Sequence, residues 1–132
     1  MTTTTSGHAA AQWLAAALAD PQEARRDWAA GQPAMLPGGV RWDAVRMPGE
    51  LVHAAVGTTG HDTVAERLAG ALGGPVIYDP AQLYYALVPP ATTRTWTSPL
   101  ARCLGRGSWL AVPRTDSSGH GGVHRPAAET AL

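Results

Sequence analysis

Apolar residues recur at helical spacing in five stretches of the chain and at strand spacing in others, and the two patterns predict where its elements fall. Over residues 8–19, Ala10, Trp13, Leu14, Ala17 and Leu18 lie three and four positions apart, the stripe of a helix resting on a core. Asp20-Pro21-Gln22-Glu23 then supplies a capping aspartate, a proline at the first helical position and a glutamate at the third. A second helix is predicted there, with Ala24 and Trp28 inward, Arg25, Arg26 and Asp27 outward, and Gly31 as its stop. Residues 32–39, with Pro33, Pro37 and Gly38-Gly39, are expected to form a loop. From Val40 to Met47 the chain alternates, yet apolar residues fall on both sides, which predicts a strand covered in part on each face. Residues 48–56 and 62–72 predict two further helices ended by Gly57 and Gly73-Gly74, with Thr63 and Glu66 as a capping pair for the second.

The region from Gly74 to Pro113 organises the rest. Pro75-Val76-Ile77-Tyr78, a turn at Asp79-Pro80-Ala81-Gln82, and Leu83-Tyr84-Tyr85-Ala86-Leu87-Val88 read as a β-hairpin stopped by Pro89-Pro90. Residues 96–104 are expected to form a short helix carrying Leu100, Cys103 and Leu104, and Ser108 to Pro113 a last strand. The resulting order gives an α+β fold, with Ala-rich helices packed on a small, mainly antiparallel sheet. One domain is expected over residues 8–113, with a disordered N-terminus over residues 1–7 and a flexible tail containing Gly, Ser and His over residues 114–132.

Composition narrows the class. A chain of 132 residues is one domain's length. Phe is absent, so the core leans on Leu and Val with five Trp and three Tyr, and each aromatic is expected to be structural. The single cysteine and the lack of an apolar membrane-spanning run or a basic leader predict a cytoplasmic protein with no membrane partner. Formal charge is zero overall but uneven: residues 1–79 carry five Arg and eight acids, while residues 80–132 carry five Arg and two acids.

That imbalance points to candidate chemistry. Arg94, Arg102, Arg106 and Arg114 fall in an acid-free stretch interleaved with Trp96 and Trp109. Guanidinium forks match phosphate oxygens and aromatic faces stack bases, so Arg94, Trp96, Arg102, Arg106 and Arg114 form a candidate surface for nucleic acid, nucleotide or another anion. The alternative is that the tryptophans are core and the arginines are separate solvated charges. Asp43, His53, His61 and Cys103 are the side chains from which a small enzyme's site could be drawn. Nothing in the sequence ties a base to Cys103. His120 and His124 have neither the ligand number nor the frame of a structural zinc site, and Gly38-Gly39 and Gly73-Gly74 do not continue into a phosphate loop. No metal site, catalytic residue or cofactor is assigned.

A spaced set of blocks carries a resemblance over roughly residues 10–113: Leu36-Pro37-Gly38-Gly39-Val40-Arg41-Trp42-Asp43-Ala44-Val45, Gly74-Pro75-Val76, Leu87-Val88-Pro89-Pro90-Ala91-Thr92, and Gly105 through Pro113. The chain resembles short actinobacterial proteins that are similar to the N-terminal domain of bifunctional DNA primase/polymerases. The resemblance implies that fold. The family's metal-binding pair, Asp-x-Asp or Asp-x-Glu, is met here by Asp43 with Val45 in the place of the second acid. One carboxylate cannot hold two Mg²⁺ ions in polymerase geometry. The expectation is therefore a non-catalytic binding module, accessory or regulatory. Its partner would be a single-stranded nucleic acid, a nucleotide or a protein; the small enzyme is the alternative.

Overall fold

A computed structural model describes residues 10–79, 83–114 and 122–124. Helix α1 (residues 10–15) leads through i→i+3 turns into α2 (Gln22–Ala29) and strand β1 (Ala34–Pro37). Strand β2 (Asp43–Pro48) then runs into helices α3 (Gly49–Val56) and α4 (His61–Leu72). Strands β3 (Val76–Asp79) and β4 (Leu83–Val88) follow, then a 3₁₀ turn (Thr92–Arg94), β5 (Arg102–Leu104), β6 (Trp109–Val112) and β7 (Gly122–His124). Five strands make one antiparallel sheet in the order β5-β2-β4-β3-β7, and β1 pairs with β6 as a separate antiparallel ribbon. This is an α+β fold.

Strand alternation sorts the core onto two faces. Ala44, Ile77, Tyr85 and Leu87 share one face and pack with Leu14, Ala24 and Trp28 from the first two helices and with Leu36, Leu110 and Val112 from the ribbon. The Trp28 indole N–H donates to the Val112 carbonyl at 2.9 Å and ties α2 to that ribbon. On the opposite face Val76, Tyr78 and Tyr84 meet Val52, Val64, Ala65 and Ala69 of α3 and α4. At the β5 side of this second face, Val45, Ala86 and Cys103 form a smaller cluster under Trp96. Both faces of β2 are therefore covered over its first three residues, Asp43 to Val45, while Arg46 is exposed.

Ahead of α2 the Asp20 carboxylate accepts the Gln22 backbone N–H at 3.1 Å, but the helix begins at Gln22 with Pro21 in the cap position and no side-chain cap bond, so Pro21 is not its first residue. Gly57 and Gly73 end their helices with φ of 87° and 73°, the left-handed conformation that glycine adopts without a steric penalty. α4 starts at His61 and has no side-chain cap, so the Thr63–Glu66 pair does not cap it.

Four expectations are corrected. Residues 34–37 form a strand, because β1 lies at the edge of a two-stranded ribbon where Pro37 costs no interior ladder bond. β2 begins at Asp43, since the Gly39 N–H donates to the Trp42 carbonyl in a turn that holds residues 40–42 out of the ladder. Cys103 sits on strand β5, not on a helix: Pro99 interrupts helical hydrogen bonding and residues 102–104 pair with β2 instead. Residues 122–124, assigned to the tail, add an edge strand to β3 through backbone bonds that need no side-chain pattern. The N-terminal segment 1–9, the turn residues 80–82 and tail residues 115–121 and 125–132 lie outside the described residues.

Leu36 is fully buried and Leu100 is 65% exposed. Leu36→Ala should lower unfolding stability by about 2–5 kcal/mol, read from denaturant midpoints. Leu100→Ala should change it by less than about 0.5 kcal/mol.

Candidate functional site

Asp43 opens β2, and its side chain emerges on the face shared with Val45 and Cys103, at the end of the strand. It has no exposed surface. A buried carboxylate needs partners, and they come from fifty residues further on: Thr93 donates its backbone N–H to Asp43 Oδ2 at 2.9 Å and its hydroxyl to the same oxygen at 2.5 Å. The Cys103 sulfur lies 4.0 Å from Oδ2 and 3.8 Å from Thr93 Oγ1. Every one of these contacts to Asp43 falls on Oδ2. Oδ1 is enclosed and has no donor among the described residues, and the neighbouring Trp42 indole nitrogen is likewise enclosed without an acceptor.

Two turns close around this carboxylate. After β4, Pro89-Pro90 leads to Ala91, which holds φ at 71°, a left-handed conformation costing a non-glycine residue on the order of 1 kcal/mol. The 3₁₀ turn that follows is fastened by the Thr92 hydroxyl donating to the Pro89 carbonyl at 2.6 Å. Opposite, the chain turns at Gly105–Ser108, with the Ser108 N–H donating to the Gly105 carbonyl at 3.0 Å. Gly39, at φ 84°, packs its α-carbon against the Arg106 backbone so closely that a β-carbon there would lie 2.6 Å from the Arg106 nitrogen. A methyl group on Gly105 would overlap Thr93 Oγ1 and come within 3.3 Å of Asp43 Oδ2. Both glycines are thus required by close approach.

Between the turns lies a cleft of about 310 Å³, with Asp43 as its buried member, Arg94 and Arg106 as exposed ones, and Gly39, Pro90, Ala91 and Thr93 completing the wall. Neither arginine has a carboxylate partner among the described residues. Two guanidinium forks beside a cleft can bind a phosphate or carboxylate.

Of the five residues singled out as a basic and aromatic surface, the structure brings Arg94 and Arg106 together. Trp96 is half-buried against the Val45–Ala86–Cys103 cluster and donates its indole N–H to the Ala101 carbonyl at 2.9 Å. Arg102 sits on edge strand β5 opposite Arg46, on the face of the sheet away from Asp43. Arg114 follows β6 and does not line the cleft. The aromatic that faces solvent is Trp109, 57% exposed, beside the similarly exposed Met35 on the outer side of the ribbon, while Trp28 and Trp42 are core.

The side chains considered for an enzyme separate into two places. Asp43 and Cys103 meet, as described. His53, on α3, hydrogen-bonds the Tyr84 hydroxyl at 2.9 Å. Tyr84 pairs with Met47, four residues along β2 from Asp43, or about 13 Å at strand rise. The His61 side chain lies outside the described residues. Burial pushes the Cys103 thiol above its ordinary pKa, the Asp43 charge adds to that, and the Thr93 hydrogen bond opposes them. Among the described residues no three of His, Cys, Asp and Glu gather as a metal site, and no helix is long and apolar enough to cross a membrane.

Set against protein-family models, curated proteins and solved structures, the chain matches none.

The raised thiol pKa leaves little thiolate near neutrality. At pH 8 iodoacetamide should therefore alkylate Cys103 at least tenfold more slowly in the native chain than in denaturant, followed by mass spectrometry. Gly105→Ala should displace Thr93 from Asp43 and lower stability by about 1–3 kcal/mol, read from the urea midpoint.

Proposed function

We propose that this protein is a binding module whose cleft takes a nucleotide phosphate, free or within a single strand. The observation that carries the reading is the placement of Arg94 and Arg106, from separate turns, on one cleft with no carboxylate paired to either among the described residues. Each arginine is set by rigid backbone rather than by side-chain packing: Arg94 ends a 3₁₀ turn anchored to Asp43, and Arg106 lies in a turn locked against Gly39. Binding geometry on loops fixed to a rigid scaffold is where recognition is commonly built. The likeness to primase/polymerase N-terminal domains rests on sequence blocks alone and supports the same ligand class. In this reading the protein holds its ligand as an accessory or regulatory component. Asp43 acts as a positioning residue, since its carboxylate holds the turn that carries Arg94.

The test is fluorescence anisotropy of a labelled oligothymidylate at two salt concentrations, with a free nucleotide as competitor. Arg94→Ala with Arg106→Ala should weaken binding at least tenfold and flatten the logarithmic salt dependence by about 1.4, two phosphate contacts at about 0.7 each. Competition by the mononucleotide identifies the free ligand, and its failure to compete identifies the strand. Absence of binding by both at low salt overturns the proposal.

A further inference from the structure

Two stretches of chain join the large sheet to the ribbon at the end where the cleft lies, and they run side by side. Residues 38–42 lead from β1 to β2, and residues 105–108 lead from β5 to β6. The Gly38 N–H donates to the Ser108 carbonyl at 2.8 Å, and a β-carbon on Gly38 would lie 2.9 Å from the Gly105 carbonyl oxygen. Each connection carries one exposed arginine, Arg41 on the first and Arg106 on the second. Arg41 is distant from Arg106 in sequence, and the turn closed by the Gly39 N–H on the Trp42 carbonyl at 2.7 Å brings it there. Like Arg94 and Arg106, it has no carboxylate partner among the described residues. Residues 33–42 and 83–114 contain no acid, and the adjacent Asp43 is buried and engaged by Thr93.

Both connections meet the ribbon at an exposed aromatic. Trp109 pairs with Pro37, the last pair of the ribbon before the connections leave it, while Ala34 and Val112 close the other end. Trp109 is 57% exposed, and the other four tryptophans are buried or half-buried. Alternation puts it with Met35 and Ala111 on the side of the ribbon away from the core. An aromatic face in water beside unpaired guanidinium groups is the composition of a platform on which bases stack while cations meet the phosphates. Trp109 does not line the cleft. The ribbon packs on the Ala44 side of the sheet, whereas the Asp43 side chain is on the other, and packed sheets stand about 10 Å apart. A nucleotide held in the cleft leaves the indole uncovered, but a strand leaving the cleft across the two connections reaches it.

We infer that Arg41 and Trp109 extend the cleft into a track for a single strand, Arg41 adding a phosphate contact and Trp109 a base-stacking surface. The inference rests on the nucleotide-phosphate reading above and selects, of its two forms, the strand over the free nucleotide.

The test measures fluorescence anisotropy of labelled oligothymidylates of two and six nucleotides on the full chain at low salt. The hexamer is expected to bind more than tenfold more tightly than the dinucleotide, of which about fivefold reflects its extra registers and the rest the tethered second contact. Trp109→Ala should weaken the hexamer at least fivefold and the dinucleotide less than twofold, and Trp109→Phe, which keeps a stacking ring, should restore the hexamer to within threefold of wild type. Arg41→Ala should lower the logarithmic salt dependence of hexamer binding by about 0.7. The wild-type length comparison needs no variant. A gain of tenfold or less from two to six nucleotides, or hexamer binding unchanged in Trp109→Ala, overturns the track and leaves the anion cleft standing. Displacement of the hexamer by an equal concentration of polyglutamate identifies an acidic protein partner and overturns the strand. Absence of binding by either oligomer overturns the nucleotide reading beneath it.

Discussion

Four consecutive residues, Trp42 to Val45, are removed from water, and one of them is an aspartate. This follows from the place of β2 in the sheet, between β5 and β4, with α1, α2 and the ribbon over one face and α3, α4 and the Trp96 cluster over the other. At residues 43–45 the strand is covered on both sides and has no solvated face on which to put a carboxylate, unlike Arg46 further along. Left unpaired there, the group would cost far more than one hydrogen bond returns. The Thr93 turn is the structural answer. It brings a backbone N–H and a hydroxyl to a single oxygen and so anchors the 3₁₀ turn Thr92–Arg94 to the start of β2. The left-handed backbone at Ala91 fits this account, since a conformation unfavourable to alanine persists only where the surroundings over-determine it.

The position of the cleft is a consequence of antiparallel topology. The start of β2, the end of β4 and the end of β5 must lie at the same end of the sheet, because neighbouring strands run in opposite senses: Asp43 faces Val88, and Ala44 faces Leu104. The segments after β4 and β5 therefore leave the sheet side by side, next to Asp43, and each brings one arginine. His53 and Tyr84 belong to the far end of the same face, under α3, and so take no part in the site.

The elements that sequence reasoning finds are those whose signals are local. The Asp20 side-chain bond ahead of α2, the glycines at 57 and 73 and the aromatic arms of the β3–β4 hairpin each depend on a few adjacent residues. β1, β5 and β7 depend instead on distant partners. Pro33 and Pro37 say loop until β6, some seventy residues later, supplies a ladder, and Leu100, Cys103 and Leu104 mimic a helical stripe until β2 claims Cys103. The same division holds for the site. The acid-free arginine stretch is visible in the sequence, but which two of its arginines share a cleft depends on where three strands end. That Asp43 and Thr93 meet cannot be read from either neighbourhood. The Gly38-Gly39 pair, dismissed as a phosphate loop, is required for the close approach of Gly39 to Arg106.

The arginines themselves divide by what stands opposite them. Arg46 and Arg102 face one another across β2 and β5, a like-charged cross-strand pair whose repulsion is screened by water because both are exposed. Arg94 and Arg106 are also exposed and line one cleft with a buried carboxylate already engaged by Thr93, and neither pairs with a carboxylate among the described residues. Bonds to Thr93 engage the Asp43 carboxylate within the protein, so the buried aspartate forms no ion pair with either arginine.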